Sequence, residues 1–163
     1  MALPSEPHAE PVTLPDTDLS EATVLLVDDN LQNLELMQAY LEELPVTLDV
    51  AHNGIEAGAA IDRRRPDMVL LDVMMPQMSG FELCRKIKST PETRDIIVIM
   101  VTALNEVADF ERAVECGTDD FLTKPVNKLE LLTRVRSLLR VALLKRQLDR
   151  LLRGGGEGAS DGD

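Results

Sequence analysis

Residues 24–30 read VLLVDDN, and the fold follows from how this stretch is built. The four apolar residues Val24–Val27 are too few for a helix, and they run straight into Asp28, Asp29 and Asn30. A strand buried on both faces, with its carboxyl end opening onto a polar crevice, has this composition. The pattern recurs where Met68–Leu71 runs into Asp72 and Ile96–Val101 runs into Thr102. Val46–Ala51 and the short Asp119–Thr123, which leads to Lys124 and Pro125, supply two further strands.

Amphipathic segments lie between them. Leu31–Leu44 places Leu34, Met37, Leu41 and Leu44 at helical spacing and is stopped by Pro45. Ile55–Arg65 stops at Pro66, Phe81–Lys88 follows a loop over Val73–Gly80, and Glu106–Cys116 is closed by Gly117. A last helix starts near Val126 and runs to Arg153. Five strand–helix pairs with doubly buried strands predict an α/β fold. The expected sheet is doubly wound, parallel and five-stranded, a flavodoxin-like (βα)5 arrangement in the order 2-1-3-4-5 with an extended C-terminal helix.

Composition bounds the remaining possibilities. Of 163 residues, 44% are hydrophobic, which is enough for a core and excludes a wholly disordered chain. Cys84 and Cys116 lack CxxC spacing and read as small buried hydrophobes, not as a disulfide framework or a zinc site. Residues 1–20 carry no Lys or Arg and no apolar run, so no signal peptide is expected. No stretch approaches the ~20 apolar residues of a membrane span, and the cytoplasm is the expected location. The net charge of −12, with no Lys or Arg before Arg63, disfavours direct nucleic-acid binding. Residues 126–153 reverse that sign, with eight Lys or Arg against Glu130 and Asp149. The Pro-rich acidic residues 1–21 and the Gly-rich residues 154–163 read as disordered arms. Between them, 22–142 is the expected domain and 143–153 an extension of its last helix. About twenty residues follow that domain, so output is expected to pass through protein contact, phosphoryl relay or dimerisation.

Ligands of open α/β sheets bind beyond the carboxyl ends of the strands. Those ends carry Asp28 and Asp29 on the first strand, Asp72 on the third, Thr102 on the fourth and Lys124 on the fifth. In the order 2-1-3-4-5 the first and third strands are neighbours, so three carboxylates meet in one crevice. They repel one another unless cations offset them. Lys124 supplies one positive charge, and a hard divalent ion such as Mg²⁺ supplies two more. A carboxylate can attack phosphorus to give an aspartyl phosphate, with the metal and Lys124 neutralising charge and the Thr102 hydroxyl bonding a phosphoryl oxygen. An Asp at a strand end is on its own as often a cap or loop residue. The conjunction of all five in strand order is the informative feature.

Residues 23–142 resemble the receiver domain of two-component response regulators. The matching text is VLLVDDN (24–30), VLLDVMMPQMSGFELC (69–84), IVIMVTA (97–103) and DDFLTKPVNKLELLTRVRSLL (119–139). VTA and DDFLTKPVN are locally most similar to receivers attached to diguanylate cyclases. The resemblance implies that Asp72 is the phosphoacceptor. It implies Mg²⁺ held by Asp28, Asp29, Asp72 and the backbone carbonyl of Met74, with Thr102 and Lys124 contacting the phosphoryl group. It also implies a switch in which Thr102 moves toward the phosphoryl group and Phe121 turns inward, remodelling the face of the fourth helix, fifth strand and fifth helix. The peptide before Pro125 is expected to be cis on the same ground. The implied donor is a histidine kinase or histidine phosphotransfer protein, and the implied output a downstream protein target. Met74 and Leu104 are apolar where many relatives are polar, so slow autodephosphorylation is expected, because neither orients a water.

In the last helix Leu131, Leu138, Val141, Leu148 and Leu152 fall at separations of seven, three and four residues, interrupted by Arg134 and Lys145, and read as a homodimer seam. The alternatives are fraying beyond residue 140, or docking of the basic face on an acidic partner, lipid or nucleic acid. A haloacid-dehalogenase-like phosphatase shares the Asp, Thr, Lys and Mg²⁺ chemistry but places its nucleophile in a DxD pattern after the first strand, where this chain has Asp-Asp-Asn. A flavin or nucleotide carrier needs a Gly- or Ser/Thr-rich loop there instead of two acids. A scaffold that ignores phosphorylation is the remaining alternative. His8 and His52 have no metal-ligand partner at useful spacing.

Overall fold

Each predicted strand forms, and the side chains alternate between two covered faces of one sheet. The computed structural model describes residues 18–103 and 107–160. In chain order the elements are β1 (Thr23–Val27), α1 (Leu31–Leu41), β2 (Thr47–Ala51), α2 (Gly54–Arg63), β3 (Met68–Asp72) and α3 (Gly80–Ser89). They continue as β4 (Ile97–Thr102), α4 (Val107–Cys116), β5 (Asp120–Thr123) and α5 (Lys128–Ser160). All neighbouring strands are parallel, in the order β2-β1-β3-β4-β5, as the sequence predicts.

The period-two alternation sorts the core. Val24, Leu26, Met68, Leu70, Ile97 and Ile99 face α1 and α5, packing on Leu34, Met37, Leu41, Leu131, Val135 and Leu139. Leu25, Val27, Val69, Leu71, Val98 and Met100 face α2, α3 and α4, packing on Ala57, Ile61, Leu83, Cys84, Ile87 and Ala113. Cys84 and Cys116 are free and buried in that second layer, and burial pushes the Cys84 thiol up to about 12. They serve as small apolar groups, as expected.

The boundaries differ in instructive ways. The first helix stops at Leu41, three residues before the predicted Leu44, and Leu44 N–H turns back to the Leu41 carbonyl (2.9 Å). Leu44 precedes Pro45, whose ring disfavours helical backbone in the residue before it. The arm predicted over 1–21 ends earlier: Leu19–Glu21 forms a 3-10 turn capped by Asp18, and Leu19 is buried against the α1/α5 layer. Burial of Leu19 and the Asp18 cap contribute toward the cost of ordering this short segment. Residues 1–17, which make up the rest of that arm, lie outside the described residues.

At the other end α5 continues past Arg153 to Ser160, through residues predicted as a disordered tail. The dimer seam also needs correction. Leu131 is fully buried on the sheet and Leu138 is partly buried against the same layer, so the outward stripe begins only at Val141. No helix of the described residues is long and apolar enough to cross a membrane.

Candidate functional site

The carboxyl ends of β1, β3, β4 and β5 converge as the strand order requires. Asp28 is fully buried just after β1, and one of its oxygens accepts from Asn30 N–H (2.9 Å). Asn30 in turn caps α1, its side-chain oxygen accepting from Gln32 and Asn33 N–H. The Asp-Asp-Asn run therefore divides its labour: Asp28 is turned inward, Asp29 stays exposed, and Asn30 starts the helix.

Asp72 closes β3 and is 6% exposed. The loop after it folds back so tightly that Gly80 N–H donates to the Val73 carbonyl (2.9 Å). A Cβ on Gly80 would lie 2.3 Å from the Asp72 carbonyl oxygen, so only glycine fits against the backbone of this carboxylate. Ser79 caps α3 beside it, accepting from Glu82 N–H (3.3 Å). Sequence reading missed this role for Gly80, because it depends on a contact made across the loop, although the Ser-Gly pair before an amphipathic run marks the helix start.

Lys124 follows β5 and reaches back across the sheet. Its ammonium donates to Asp28 Oδ2 at 3.2 Å and to Asp72 Oδ1 at 3.3 Å. The peptide joining Lys124 to Pro125 is cis. Oxygens of Asp28, Asp29 and Asp72 all lie within 4.8 Å of one another. One lysine thus faces three carboxylates. Asp72 records the imbalance: burial first, and the Asp28 charge second, push its carboxyl from 3.8 up to about 6 against the opposing pull of Lys124.

Thr102 ends β4, fully buried, and among the described residues its Oγ1 is the one buried side-chain oxygen or nitrogen without a hydrogen-bond partner. A buried hydroxyl left unpaired is costly, and this one is free to donate to an acceptor brought to the strand end. Phe121 is half-buried on β5. Met74 stands exposed at the rim, whereas Leu104 lies outside the described residues. His52 pairs with the exposed Glu56 and takes no part in the crevice. The structure therefore brings together Asp28, Asp29, Asp72 and Lys124 in one cluster, with Thr102 on the adjacent strand end.

A hard, anionic, all-oxygen donor set of this kind suits Mg²⁺, which is commonly bound through carboxylates while keeping positions for water and phosphate oxygens. The unpaired Thr102 hydroxyl and the Lys124 ammonium add donors for a tetrahedral oxyanion. Fold and site together suit a signalling module that holds a cation and an oxyanion side by side at the carboxyl end of its sheet.

The model of the response regulator receiver domain matches residues 24–136. The chain is 45% identical over 123 residues to the response regulator PleD of Caulobacter vibrioides, covering 76% of this chain and 27% of that protein. It is 37% identical over 117 residues to the DNA-binding dual master transcriptional regulator RpaA of Synechocystis, covering 72% of this chain and 48% of the relative. Among solved structures, the signal receiver domain of a signal transduction histidine kinase from Syntrophus aciditrophicus superposes with a TM-score of 0.70 at 39% identity, covering 73% of this chain and 90% of that one. The chain belongs to the response regulator receiver family of two-component signalling. It spans about a quarter to a half of the length of these curated relatives.

Proposed function

We propose that Asp72 is the phosphoryl acceptor of this receiver and that its modification switches a protein-interaction surface. The observation that carries the proposal is the unpaired, fully buried Thr102 Oγ1 at the end of the strand next to Asp72. In the transfer step an Asp72 carboxylate oxygen attacks the phosphorus of a phosphohistidine. The new O–P bond forms as the P–N bond breaks, and the imidazole nitrogen leaves with the bonding pair. Lys124 neutralises charge on the phosphoryl oxygens, and Thr102 donates its hydroxyl hydrogen to one of them. Asp28, Asp29, Asp72 and the Met74 carbonyl would hold Mg²⁺, which supplies positive charge against the phosphoryl oxygens when bound. Phe121 is the aromatic half of the switch with Thr102.

The donor in this reading is a histidine kinase or histidine phosphotransfer protein and the recipient of the signal a protein target, within the cytoplasm. The chain acts as an acceptor and not as a turnover enzyme. The exposed apolar Met74 carries no group to orient a hydrolytic water, which favours a long-lived phosphoryl state. A homodimer through α5 is part of the same reading. Val141, Leu148, Leu151 and Leu152 are exposed on the side of the helix opposite the one that packs on the sheet, and Val141, Leu144, Leu148 and Leu151 repeat at three- and four-residue spacing.

Intact mass after incubation with acetyl phosphate and Mg²⁺ tests the acceptor. Wild type is expected to gain one phosphoryl group, and both Asp72→Asn and the chelator-treated control none. Labelling that persists in Asp72→Asn would place the acceptor elsewhere.

A further inference from the structure

Helix α4 makes two aromatic contacts that the phosphoryl chemistry leaves unused. Phe110 meets Phe121 of β5 edge to face, with centroids 5.7 Å apart and planes at 76°. The Arg112 guanidinium, two residues along, lies 4.5 Å over the Phe81 ring of α3. Phe81 follows Gly80, the residue pressed against the Asp72 backbone. Through these two rings α4 holds the start of α3 beside Asp72 and the strand that leads to Lys124.

The β4–β5 register pairs Met100 with Phe121. Side chains alternate along a strand, so Thr102, two residues after Met100, projects from the same face as Phe121 and is its diagonal neighbour. Both Met100 and Phe121 belong to the layer under α3 and α4. Thr102 Oγ1 gives up no hydrogen bond when it moves toward an acceptor. That displacement frees volume on the shared face beside Phe121. A ring that turns into this volume has to leave the edge-to-face contact with Phe110.

Resting on the reading of Asp72, Thr102 and Phe121 given above, we propose that Phe110 is a positioning residue that latches Phe121 in its half-buried place against α4 and thereby sets the resting population of the switch. Phe110 carries no polar group for the phosphoryl site, and its aromatic contact is with Phe121. It acts through one ring contact made in the resting arrangement and lost in the other. An aromatic pair of this geometry biases such an equilibrium roughly two- to tenfold. Where only the rearranged fraction accepts phosphate readily, the apparent labelling rate rises in proportion to that fraction.

The test compares wild type, Phe110→Ala and Phe110→Leu in the full chain, with acetyl phosphate and Mg²⁺, by mass and by ¹⁹F NMR of fluorophenylalanine-labelled protein. Phe110→Ala is expected to label two- to tenfold faster than wild type. Phe110→Leu, which keeps bulk but loses the edge-to-face contact, should fall between the two. In wild type the Phe110 and Phe121 resonances should shift together on phosphorylation. In unmodified Phe110→Ala, the Phe121 resonance should already lie toward its phosphorylated position. Equal labelling rates with an unmoved Phe121 resonance would overturn the latch while leaving Asp72 as acceptor. Absence of any mass gain in wild type would instead remove the acceptor reading, and the latch with it. Should Phe110→Ala fail to fold, the rate and resonance of Phe110→Leu decide the matter.

Discussion

The two poles of the sheet both hold carboxylates, and they treat them in opposite ways. At the amino ends of the strands Asp67 and Asp119 are matched by donors. Asp67 accepts from Thr23 N–H (2.8 Å) and pairs with Arg146 of α5. Asp119 accepts from Val98 N–H (2.7 Å) and from Lys88 (2.8 Å), and Lys88 also donates to the Ile96 carbonyl (2.7 Å). At the carboxyl ends, Asp28, Asp29 and Asp72 crowd one lysine, and Thr102 keeps an unpaired hydroxyl. One pole spends its charges on tying strands, helices and chain crossings together. The other is left electrostatically incomplete, a condition that an incoming dianion and a cation would complete together.

The contrast is sharpest if the incomplete pole costs stability, and this should be the largest effect. The Asp72 carboxyl is raised from 3.8 to about 6 in the folded state. The folded chain therefore binds this proton more tightly than the unfolded one. Its contribution is favourable below pH 3.8 and is lost as pH rises through about 6. At 1.36 kcal/mol per pH unit the penalty at neutral pH is roughly 3 kcal/mol. In chelator, Asp72→Asn is expected to unfold at higher urea concentration than wild type at pH 7 by about that amount, with the difference closing below pH 4. Mg²⁺ should raise the wild-type midpoint more than that of Asp72→Asn. Urea titrations at several pH values check both. A destabilised Asp72→Asn at pH 7 would show the carboxyl end to be as well compensated as the amino end.

The matched pole should respond with the opposite sign. Lys88→Met removes the cation of Asp119 and three donated hydrogen bonds from a side chain that is 17% exposed. The expected loss is about 2 kcal/mol, mostly from the Ile96 carbonyl and the Asp119 carboxylate left short of a partner. Labelling of Asp72 should proceed at the wild-type rate, because no part of this cluster lies at the carboxyl ends. A variant as stable as wild type would erase the distinction between the two poles.

Most of the contrast was legible in the sequence at the carboxyl pole and little of it at the other. Asp28, Asp72, Thr102 and Lys124 each stand where an apolar run ends, so strand order alone gathers them. Asp67–Arg146 and Lys88–Asp119 join residues far apart in the chain through helices whose azimuth no strand pattern specifies. The Phe110–Phe121 contact was hidden for the same reason: it depends on how α4 rolls over β5. Gly80 escaped notice because its need is a missing Cβ at a backbone approach, which leaves no periodic trace. The outward stripe of α5 was misplaced because spacing alone admits Leu131 to the seam, while packing on the sheet claims it first.

That stripe gives the smallest expected change in the stability of a single chain and a direct reading of assembly. Leu148 is 55% exposed and Leu152 67% exposed, so Leu148→Glu removes little buried surface within one copy and should alter unfolding by no more than about 0.5 kcal/mol. In a helix pair the same glutamate falls in the seam and is desolvated. Light scattering of the full chain across a concentration series should then show wild type associating and Leu148→Glu remaining monomeric. The flanks of the stripe carry Arg140 and Lys145, so two copies bring like charges together. Added salt screens that repulsion and should strengthen wild-type association. A monomeric wild type at high concentration and high salt removes the dimer, and association weakened by salt points instead to contacts between opposite charges.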